Sequence, residues 1–468
     1  MITRKEADSI GTMEVPMKAY YGVQTLRAKK NFHITGRPLH PEFIKNLVRI
    51  KKAAAYTNMT AHILDEKIGN AIVKACDEII EGKLHSQFIV DAIQGGAGTS
   101  ANMNANEVIA NRAIEILGGE KGDYTIVHPN DHVNMAQSTN DVIPSAGKLT
   151  ILALLPGLLE QLERLHKALR DKSIEFDDVV KMGRTQLQDA VPIRLGQSFE
   201  AYAAVIERDI RRIRSLDSEI KVLNIGATAV GTAINVNPVY LFHIIRNVNL
   251  VCGTDCSQAE DLFDATQNLD GFVHTSAALR VCAVNLSKIC NDLRLLSSGP
   301  KAGLGEINLP PKQNGSSIMP GKINPVIPEV VSQVAYNVIG NDVTVTMAAE
   351  AGQLELNAFE PVIFYKIFES IDTLRGAVET LIDNCILGIT ANRERCRALV
   401  ESSAALATAL CPALGYKKSA EIAKNANRTG IPVRQIVLEE GLLPEEELDR
   451  YLSLVDMTQA GHPVDYKL

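Results

Sequence analysis

The sequence predicts an all-α, mainly helical protein with an elongated central bundle of five helices flanked by two smaller helical domains. Apolar residues recur at intervals of three and four over several long segments, which is the period of an α-helix. Between these segments, the strict alternation that is typical of strands is scarce. The composition of 46% apolar and 22% charged residues is that of a protein with a sizeable core.

Three domains are predicted along the 468 residues, a length that suits two or three domains. The first is predicted over 1–139, a region rich in glycine and proline, and the central bundle over 140–390. The third is predicted over 391–468 as a small helical unit. In it, the acids Glu445–Glu447 favour the start of a short helix, because negative charge is stabilising at a helix N-terminus.

Five helical stripes define the central bundle. They lie at about 149–174, 199–220 and 279–296, and after Pro325 and Pro361. Proline is tolerated in the first turn of a helix, so the last two stripes are predicted to begin at these prolines. Pro156, inside the first stripe, is expected to produce a kink.

The helix after Pro325 carries apolar residues on more than one face. They are Val330, Val331, Val334, Val338 and Ile339. A helix with apolar residues on several faces is typical of a buried position, so we expect this one to be covered in an oligomer.

The charge and the N-terminus exclude several classes of partner. With 48 cations and 55 acids the net charge is −7, which disfavours nucleic acid as a partner. Residues 1–8 mix charges without an apolar run, so no targeting peptide is visible. The longest apolar run, Ile151–Leu159, is far shorter than the ~20 residues of a membrane-spanning helix, and no membrane partner is predicted.

The eight cysteines are scattered along the chain, which favours a reduced, cytoplasmic protein. Cys252 and Cys256 are the closest pair, but no second pair or histidine run lies nearby. We therefore expect two buried thiols rather than a metal site.

Four polar segments interrupt the helical pattern and are the candidate functional regions. They are 95–102, 137–141, 183–189 and 315–324. Their hydroxyls, amides and cations donate hydrogen bonds and carry little negative charge, which suits an anion such as a carboxylate. Taken singly, each segment is also typical of a turn or a helix cap, and that interpretation stays open.

Of two common nucleotide motifs, the phosphate-binding loop is excluded and the dinucleotide fingerprint matches only weakly. Gly315 and Gly321 enclose five residues, one too many for a phosphate-binding loop, and Ile323 stands where that loop needs a hydroxyl. The glycines of 95–102 imitate a dinucleotide fingerprint, but the helical surroundings lack its strand–helix–strand unit.

The segment 315–325, GSSIMPGKINP, resembles the signature of the aspartase/fumarase superfamily. Further blocks resemble the family in the same order along almost the whole chain. They lie at 20–25, 95–106, 128–134, 137–141, 183–190 and 226–231. Within the superfamily the likeness is greatest to the aspartase branch.

The resemblance implies a homotetramer in which each active site is shared by three subunits. It also implies a small-molecule substrate, with reversible elimination of ammonia from L-aspartate to give fumarate. No organic cofactor is implied, and the sequence marks no metal site.

The resemblance assigns Ser316 as the catalytic base. The segment around it is flanked by Gly315 and Gly321, which we expect to act as hinges. The other assigned residues are Thr99, Ser138, Thr139 and Ser317 for the β-carboxylate, Asn140 for the amino group, and Thr185, Lys322 and Asn324 for the α-carboxylate. Loss of the proton beside a carboxylate leaves an enediolate, and each preorganised donor to it is worth ~3–4 kcal/mol.

Two alternative functions stay open. Class II fumarases carry a histidine at the position of Gln186, paired with a glutamate at the position of Glu329. A neutral amide cannot perform the acid–base work of that histidine, which disfavours fumarate hydration. The second alternative is a non-catalytic structural relative. A purely structural role gives no reason to retain Ser316, Lys322 and Asn324 in a glycine-flanked loop.

Overall fold

The structure is a computed structural model that describes residues 2–459, and it is mainly helical, as predicted. The helices are α1 (Val23–Asn31), α2 (Pro41–Thr60), α3 (Glu66–Ile80), α4 (Thr99–Ile116), α5 (Thr139–Glu175), α6 (Leu195–Arg214), α7 (Asp217–Ile220), α8 (Pro238–Cys252), α9 (Asp264–Gln267), α10 (Asp270–Leu296), α11 (Val326–Glu350), α12 (Glu360–Asn384), α13 (Arg393–Glu401), α14 (Cys411–Thr429), α15 (Val433–Glu439) and α16 (Glu445–Tyr451).

Short strands form four two-stranded sheets within the described residues. The strands are β1 (Thr3–Asp8), β2 (Gly11–Pro16), β3 (Val180–Thr185), β4 (Gln188–Arg194), β5 (Val222–Leu223), β6 (Ser257–Gln258), β7 (Ile307–Asn308) and β8 (Thr390–Ala391). β5 and β6 pair in parallel, whereas β1 with β2, β3 with β4, and β7 with β8 pair antiparallel.

The five predicted long helices are α5, α6, α10, α11 and α12, with different ends in three cases. α10 begins at Asp270, before its predicted stripe at 279–296. α5 begins at Thr139, well before the predicted position near 149, because Ser138 caps it. α6 ends at Arg214, and the short α7 covers the rest of its predicted stripe. α8 was not predicted from the sequence.

The described chain divides into two compact units. The first unit comprises residues 2–159, 211–281 and 336–374, and the second comprises 160–210, 282–335 and 375–459. The three-domain division made from the sequence stays a prediction.

An aromatic cluster lies in the core of the first unit. The ring of Phe364 on α12 packs against Phe43 of α2 and Phe272 of α10, with centroids 5.8 and 5.2 Å apart. Gly147 allows α5 to approach this cluster, because a Cβ there would lie 2.4 Å from the Phe364 ring. The N-terminal half of α5, whose first turn carries Thr139 and Asn140, is therefore fixed by core packing.

The C-terminal helices form a core of their own in the second unit. It is built from Val400, Leu410, Ile422, Ile436 and Val437, with Met182 of β3 packed among them. α16 begins at Glu445 with three acids in its first turn, as predicted.

Two sequence predictions about apolar residues and thiols need correction. Val331 and Val338, expected to be covered in an oligomer, are buried within the chain's own fold, whereas Val330 is 40% exposed. Of the close cysteine pair, Cys256 is buried but Cys252 is only half-buried, and both are free thiols.

α5 is the one described single helix with the length and apolarity of a membrane span. However, 61% of its most apolar window is buried inside the protein. This burial is what the core helix of a folded domain shows.

Candidate active site

The nine predicted site residues fall into two groups, one in each compact unit. Thr99, Ser138, Thr139 and Asn140 lie at the starts of α4 and α5 in the first unit, and we call them the helix-terminus group. The second unit contains Thr185 and the segment 315–324, the serine loop, which carries Ser316, Ser317, Lys322 and Asn324.

The helix-terminus group is brought together by close contact between α4 and α5. A Cβ on Gly98 would lie 2.8 Å from Cγ2 of Ile143, so only glycine lets the two helices begin this close together. Asn102 on α4 donates from Nδ2 to Oγ1 of Thr139 at 3.3 Å. Two helix N-termini, each with partial positive charge, therefore meet where the sequence predicts that a carboxylate binds.

Ser138 and Asp141 form a capping box at the start of α5. Oγ of Ser138 accepts from the N–H of Asn140 at 3.2 Å, and Oδ1 of Asp141 accepts from the N–H of Ser138 at 2.9 Å. Because Ser138 uses its oxygen as an acceptor, its hydroxyl hydrogen is left to donate. The hydroxyl of Thr99 differs, since it donates to the carbonyl of Gly96 at 2.7 Å.

A buried polar network supports this group from inside the first unit. Nζ of the buried Lys51 donates to Oδ1 of Asn102 at 2.6 Å and to Oδ1 of Asn134 at 2.9 Å. Asp141 is fully buried and also accepts from the N–H groups of Gly226 and Thr228, at 3.0 and 3.3 Å.

Burial shifts the pKa of both charged members of this network. Loss of solvation raises the pKa of Asp141 from 3.8 to about 6, although three backbone N–H groups oppose the shift. Loss of solvation also lowers the pKa of Lys51 from 10.5 to about 7, with Asp141 opposing the shift. Neutral pH is therefore close to the pH at which Asp141 takes up a proton and to the pH at which Lys51 loses one.

Lys51, Asn102, Asn134 and Asp141 were missed as supporting residues by the sequence analysis. For Asp141 a signal existed, since Ser138 and Asp141 have the spacing of a capping box before a helix. Lys51 and Asn134 are distant in sequence, and nothing local indicates that they meet.

Thr185 lies at the tip of the hairpin formed by β3 and β4. Thr185 pairs with Gln188 across a two-residue turn, Gln186 and Leu187, in which both residues have positive φ, 52° and 63°. Such a turn usually contains Asn or Gly, and strained residues of other types are typical of functional sites. Thr185 and Gln186 are both exposed there.

A buried ion cluster anchors this hairpin. Glu306 is fully buried and accepts from Arg184 at 2.9 and 3.1 Å, and Nζ of Lys181 lies 3.3 Å from it. Arg184 is the residue directly before Thr185, so the cluster fixes the backbone that presents the Thr185 hydroxyl.

The serine loop is closed at its base by hydrogen bonds around Gly315. The N–H of Gly315 donates to the carbonyl of Lys322 at 2.8 Å, and Nδ2 of Asn324 donates to the carbonyl of Gly315 at 2.7 Å. A Cβ at Gly315 would lie 2.6 Å from that Lys322 oxygen. Gly315 thus permits a close approach, whereas Gly321, with φ of +78° and free space around it, has the conformation that only glycine adopts readily.

Ser316 sits in this loop with two hydrogen bonds donated to its side-chain oxygen. The N–H groups of Ile318 and Met319 lie 3.2 and 3.0 Å from Oγ of Ser316. Donors that point at an oxygen favour its ionised form. Ser317 and Lys322 are exposed, and neither side chain is hydrogen-bonded to any other part of residues 2–459.

The helix-terminus group offers hydroxyls and an amide, and the serine loop offers hydroxyls, an amide and the cation of Lys322. Donors of these kinds suit a carboxylate. No group of three or more His, Cys, Asp or Glu side chains among residues 2–459 is placed to hold a metal ion. This fold and these donors define a mainly helical enzyme that acts on a small carboxylate.

Comparisons with known proteins agree with this class. A family model described as "Lyase" matches residues 11–340, and one described as "Fumarase C C-terminus" matches residues 406–459. The chain therefore belongs to the lyase family.

Several named relatives match nearly end to end. The chain is 53% identical to a Bacillus subtilis protein named aspartate ammonia-lyase, over 98% of this chain and 96% of that protein. It is 53% identical to the Helicobacter pylori protein of the same name, over 95% of this chain and 96% of that protein.

Solved structures match as closely in fold. A fumarate lyase:delta crystallin from Brucella melitensis, bound to cobalt, superposes with a TM-score of 0.95 at 51% identity, and the match covers 98% of this chain and all of the other. A class II fumarase from Schistosoma mansoni superposes with a TM-score of 0.94 at 35% identity, over 98% of this chain and 99% of the other.

Proposed function

We propose that the protein is an aspartate ammonia-lyase, a carbon–nitrogen lyase that converts L-aspartate reversibly to fumarate and ammonia. The observation that carries the proposal is identity of about half the residues, over almost the whole chain, with proteins of that name, against 35% with a fumarase. The predicted site residues give the proposal its chemistry.

Ser316 is proposed as the base that removes a proton from the β-carbon of L-aspartate. An alcohol is a weak base unless it is ionised, and two backbone N–H groups donate to its oxygen. Lys322 lies in the same loop and adds positive charge. As Oγ takes the proton, the electron pair of the C–H bond moves onto the β-carboxylate.

The intermediate is an enediolate that carries two negative charges on the former β-carboxylate. Ser138, with its hydroxyl hydrogen left to donate, and Thr139 are proposed to stabilise it at the start of α5, with Thr99 beside them and Ser317 from the serine loop. The hydroxyls act with the positive ends of α4 and α5, and that of Thr99 must first turn from the Gly96 carbonyl to which it donates. Thr185, Lys322 and Asn324 are proposed to hold the α-carboxylate.

Collapse of the enediolate breaks the C–N bond. The electron pair returns to form the C=C bond of fumarate, and the ammonium group of the substrate leaves as neutral ammonia. Ammonia then takes up the proton held by Ser316, so protons balance and the base is restored. Asn140 is proposed to contact the amino group during this step.

Gln186 separates this proposal from fumarate hydration. Water must be deprotonated to attack fumarate, and a glutamine amide neither takes nor gives a proton near neutral pH. The exposed position of Gln186 at the hairpin tip makes it available to substrate. This favours ammonia over water as the group that is eliminated.

The proposed assembly is a homotetramer with each site shared by three subunits. Large apolar side chains on α11 are exposed in the single chain, among them Tyr336 at 58%, Val343 at 55% and Met347 at 67%. Faces of this kind are typical of covered interfaces. Light scattering tests the assembly, and a monomeric mass in the active enzyme would contradict it.

We also propose that the enzyme works in the cytoplasm. All eight cysteines are free, and six of them are buried, which suits a reducing compartment.

Fumarate formation, followed by its ultraviolet absorbance, tests the function. We expect fumarate from L-aspartate and none from L-malate or a blank without substrate. Fumarate from L-malate alone would establish a fumarase. Absence of product from both substrates would favour the structural relative or a lyase for another succinyl compound.

A further inference from the structure

We propose that Asn224 is a positioning residue that makes the site selective for an amine by fixing Asn140. This inference rests on the proposed function and extends it to one residue of the first unit that the sequence did not indicate. Asn224 touches no substrate in this proposal and acts through Asn140.

Asn224 holds the backbone of Asn140 from a buried position. Its side chain is almost completely buried, and Nδ2 donates to the carbonyl of Asn140 at 3.0 Å and to Oγ1 of Thr266 at 3.1 Å. Its Oδ1 accepts from the hydroxyl of Ser145, one turn further along α5, at 3.2 Å. Asn224 thus ties the first turn of α5 to the segment that follows β5.

The same segment fixes the side chain of Asn140. Nδ2 of Asn140 donates to the carbonyl of Ala229 at 2.7 Å. This bond settles which way the amide faces, because only the nitrogen can donate to a carbonyl. Oδ1 of Asn140 accepts no hydrogen bond from any other part of residues 2–459, and Asn140 is only half-buried. The amide oxygen is therefore presented as a free acceptor.

The segment that carries Ala229 is itself held rigidly. Asp141 accepts from the N–H groups of Gly226 and Thr228. Thr228 has a φ of +57°, a conformation that a β-branched residue adopts only under constraint. Asn224 and Asp141 thus fasten both sides of Asn140 to one strained segment.

A free amide oxygen discriminates between the groups of the substrate. The two carboxylates need donors, so an oxygen acceptor offers them nothing. An ammonium group, or an ammonia molecule in the reverse reaction, has N–H donors for this oxygen to accept. If Asn224 is lost, Asn140 can turn or shift. We expect binding of the amine to weaken and binding of the carboxylates to be unchanged.

The reverse reaction, which adds ammonia to fumarate, separates effects on the amine from effects on the carboxylates. The concentrations of fumarate and ammonia can be varied independently in this direction. We expect Asn224→Ala to raise the KM for ammonia about tenfold, the size expected for one misplaced hydrogen bond, while the KM for fumarate stays within twofold of the wild type. The assays are run at one fixed pH, with the free ammonia concentration held known.

Asn46→Ala is the matched control. Asn46 is also buried, and its Nδ2 donates to Oγ1 of Thr150, further along the same helix α5. Its removal costs α5 a comparable buried hydrogen bond away from Asn140, so neither KM should change. Asn224→Asp is a second variant, which keeps the acceptor for Ser145 and removes the donor to Asn140, in case the alanine variant fails to fold.

The outcomes are distinct. An equal rise in both KM values, or a selective rise in Asn46→Ala as well, would overturn the positioning role and leave the proposed function intact. No change in either KM would do the same. If wild-type protein interconverts neither L-aspartate nor fumarate with ammonia, the proposed function fails, and this inference fails with it.

Discussion

The helix-terminus group and the serine loop carry the same kinds of side chain but differ in how firmly the rest of the protein holds them. Ser138 and Thr139 begin a long helix, and a buried network that includes Lys51 and Asp141 supports them. The serine loop is closed by a few hydrogen bonds around Gly315, and its Ile318 is 84% exposed. The donors at the start of α5 are thus held in place by the core, whereas the proposed base, Oγ of Ser316, lies on a lightly packed segment.

This difference predicts that substitutions in the two regions have different effects on catalysis and on stability. A substitution that shortens a side chain in the serine loop should alter catalysis and leave stability unchanged, because little is packed against these side chains. A substitution in the helix-terminus group should alter both, because the same atoms cap α5 and face the substrate. The comparison fails if either region shows the pattern expected of the other.

Ser316→Ala should have the largest effect. Removal of the proposed base should lower kcat about a thousandfold, within the range found for general bases, without a change in melting temperature. Ser317→Ala, in the same exposed loop, is the matched variant and should lose less. If Ser316→Ala keeps most of the activity, Ser316 is not the base. The serine loop would then no longer be the region that carries the reacting oxygen.

Asp141→Asn should change how stability depends on pH. Burial raises the pKa of Asp141 from 3.8 to about 6, so between these values the folded chain binds a proton that the unfolded chain releases. The contribution of this carboxyl to the free energy of unfolding therefore falls as pH rises through that window. By its upper end the loss amounts to about 3 kcal/mol.

Urea denaturation of wild type and Asp141→Asn across this window measures the effect. The variant should gain on the wild type as pH rises from about 4 to about 6. Asp65→Asn, which alters an exposed cap of α3, is the control for loss of a carboxyl. Parallel pH curves for wild type and Asp141→Asn would show that the support of the helix-terminus group does not depend on a buried ionisable group.

Gly315→Ala and Gly321→Ala test the serine loop. At Gly315 an added Cβ would lie 2.6 Å from a backbone oxygen, so the loop must move, and a small displacement of a reacting group can lower kcat about a hundredfold. At Gly321 the space is free and only the positive φ opposes alanine, at a cost of ~1–2 kcal/mol in conformation. Equal losses of kcat in the two variants would mean that the base of the loop has no special role.

The long helices were predictable because their signal is local. Periodic apolar residues at about 199–220 and 279–296 gave α6 and α10, and Pro325 marked the start of α11. The start of α5 was missed because the polar residues at its first turn resemble a loop. The hairpin of β3 and β4 was missed because Gly183, Arg184 and Thr185 were read as a polar segment rather than a strand.

The candidate site was predictable only in part. The capping box of Ser138 and Asp141 can be read from spacing, but the contact of Gly98 with Ile143 joins two helices through packing. Asn224, far along the chain from Asn140, reaches it through folding alone. Sequence patterns therefore indicated the donors, and the residues that orient them required the structure.

Ser138→Ala should have the smallest of these effects on rate and a second effect on stability. Loss of the cap should cost about 1 kcal/mol of unfolding free energy. Loss of the Ser138 hydroxyl should lower kcat only about thirtyfold, less than the full value of a preorganised donor, because Thr139 still donates to the same carboxylate. Asn237→Ala is the matched control, because Asn237 caps α8 through a bond from the N–H of Val239 at 2.8 Å and is not a predicted site residue. It should show the same loss of stability with unchanged kcat. Ser138→Thr keeps both the cap and the donor, so it should restore both quantities. A Ser138→Ala enzyme with normal kcat and reduced stability would show that Ser138 is only a helix cap, and Thr139 would then be the donor that stabilises the charge at the start of α5.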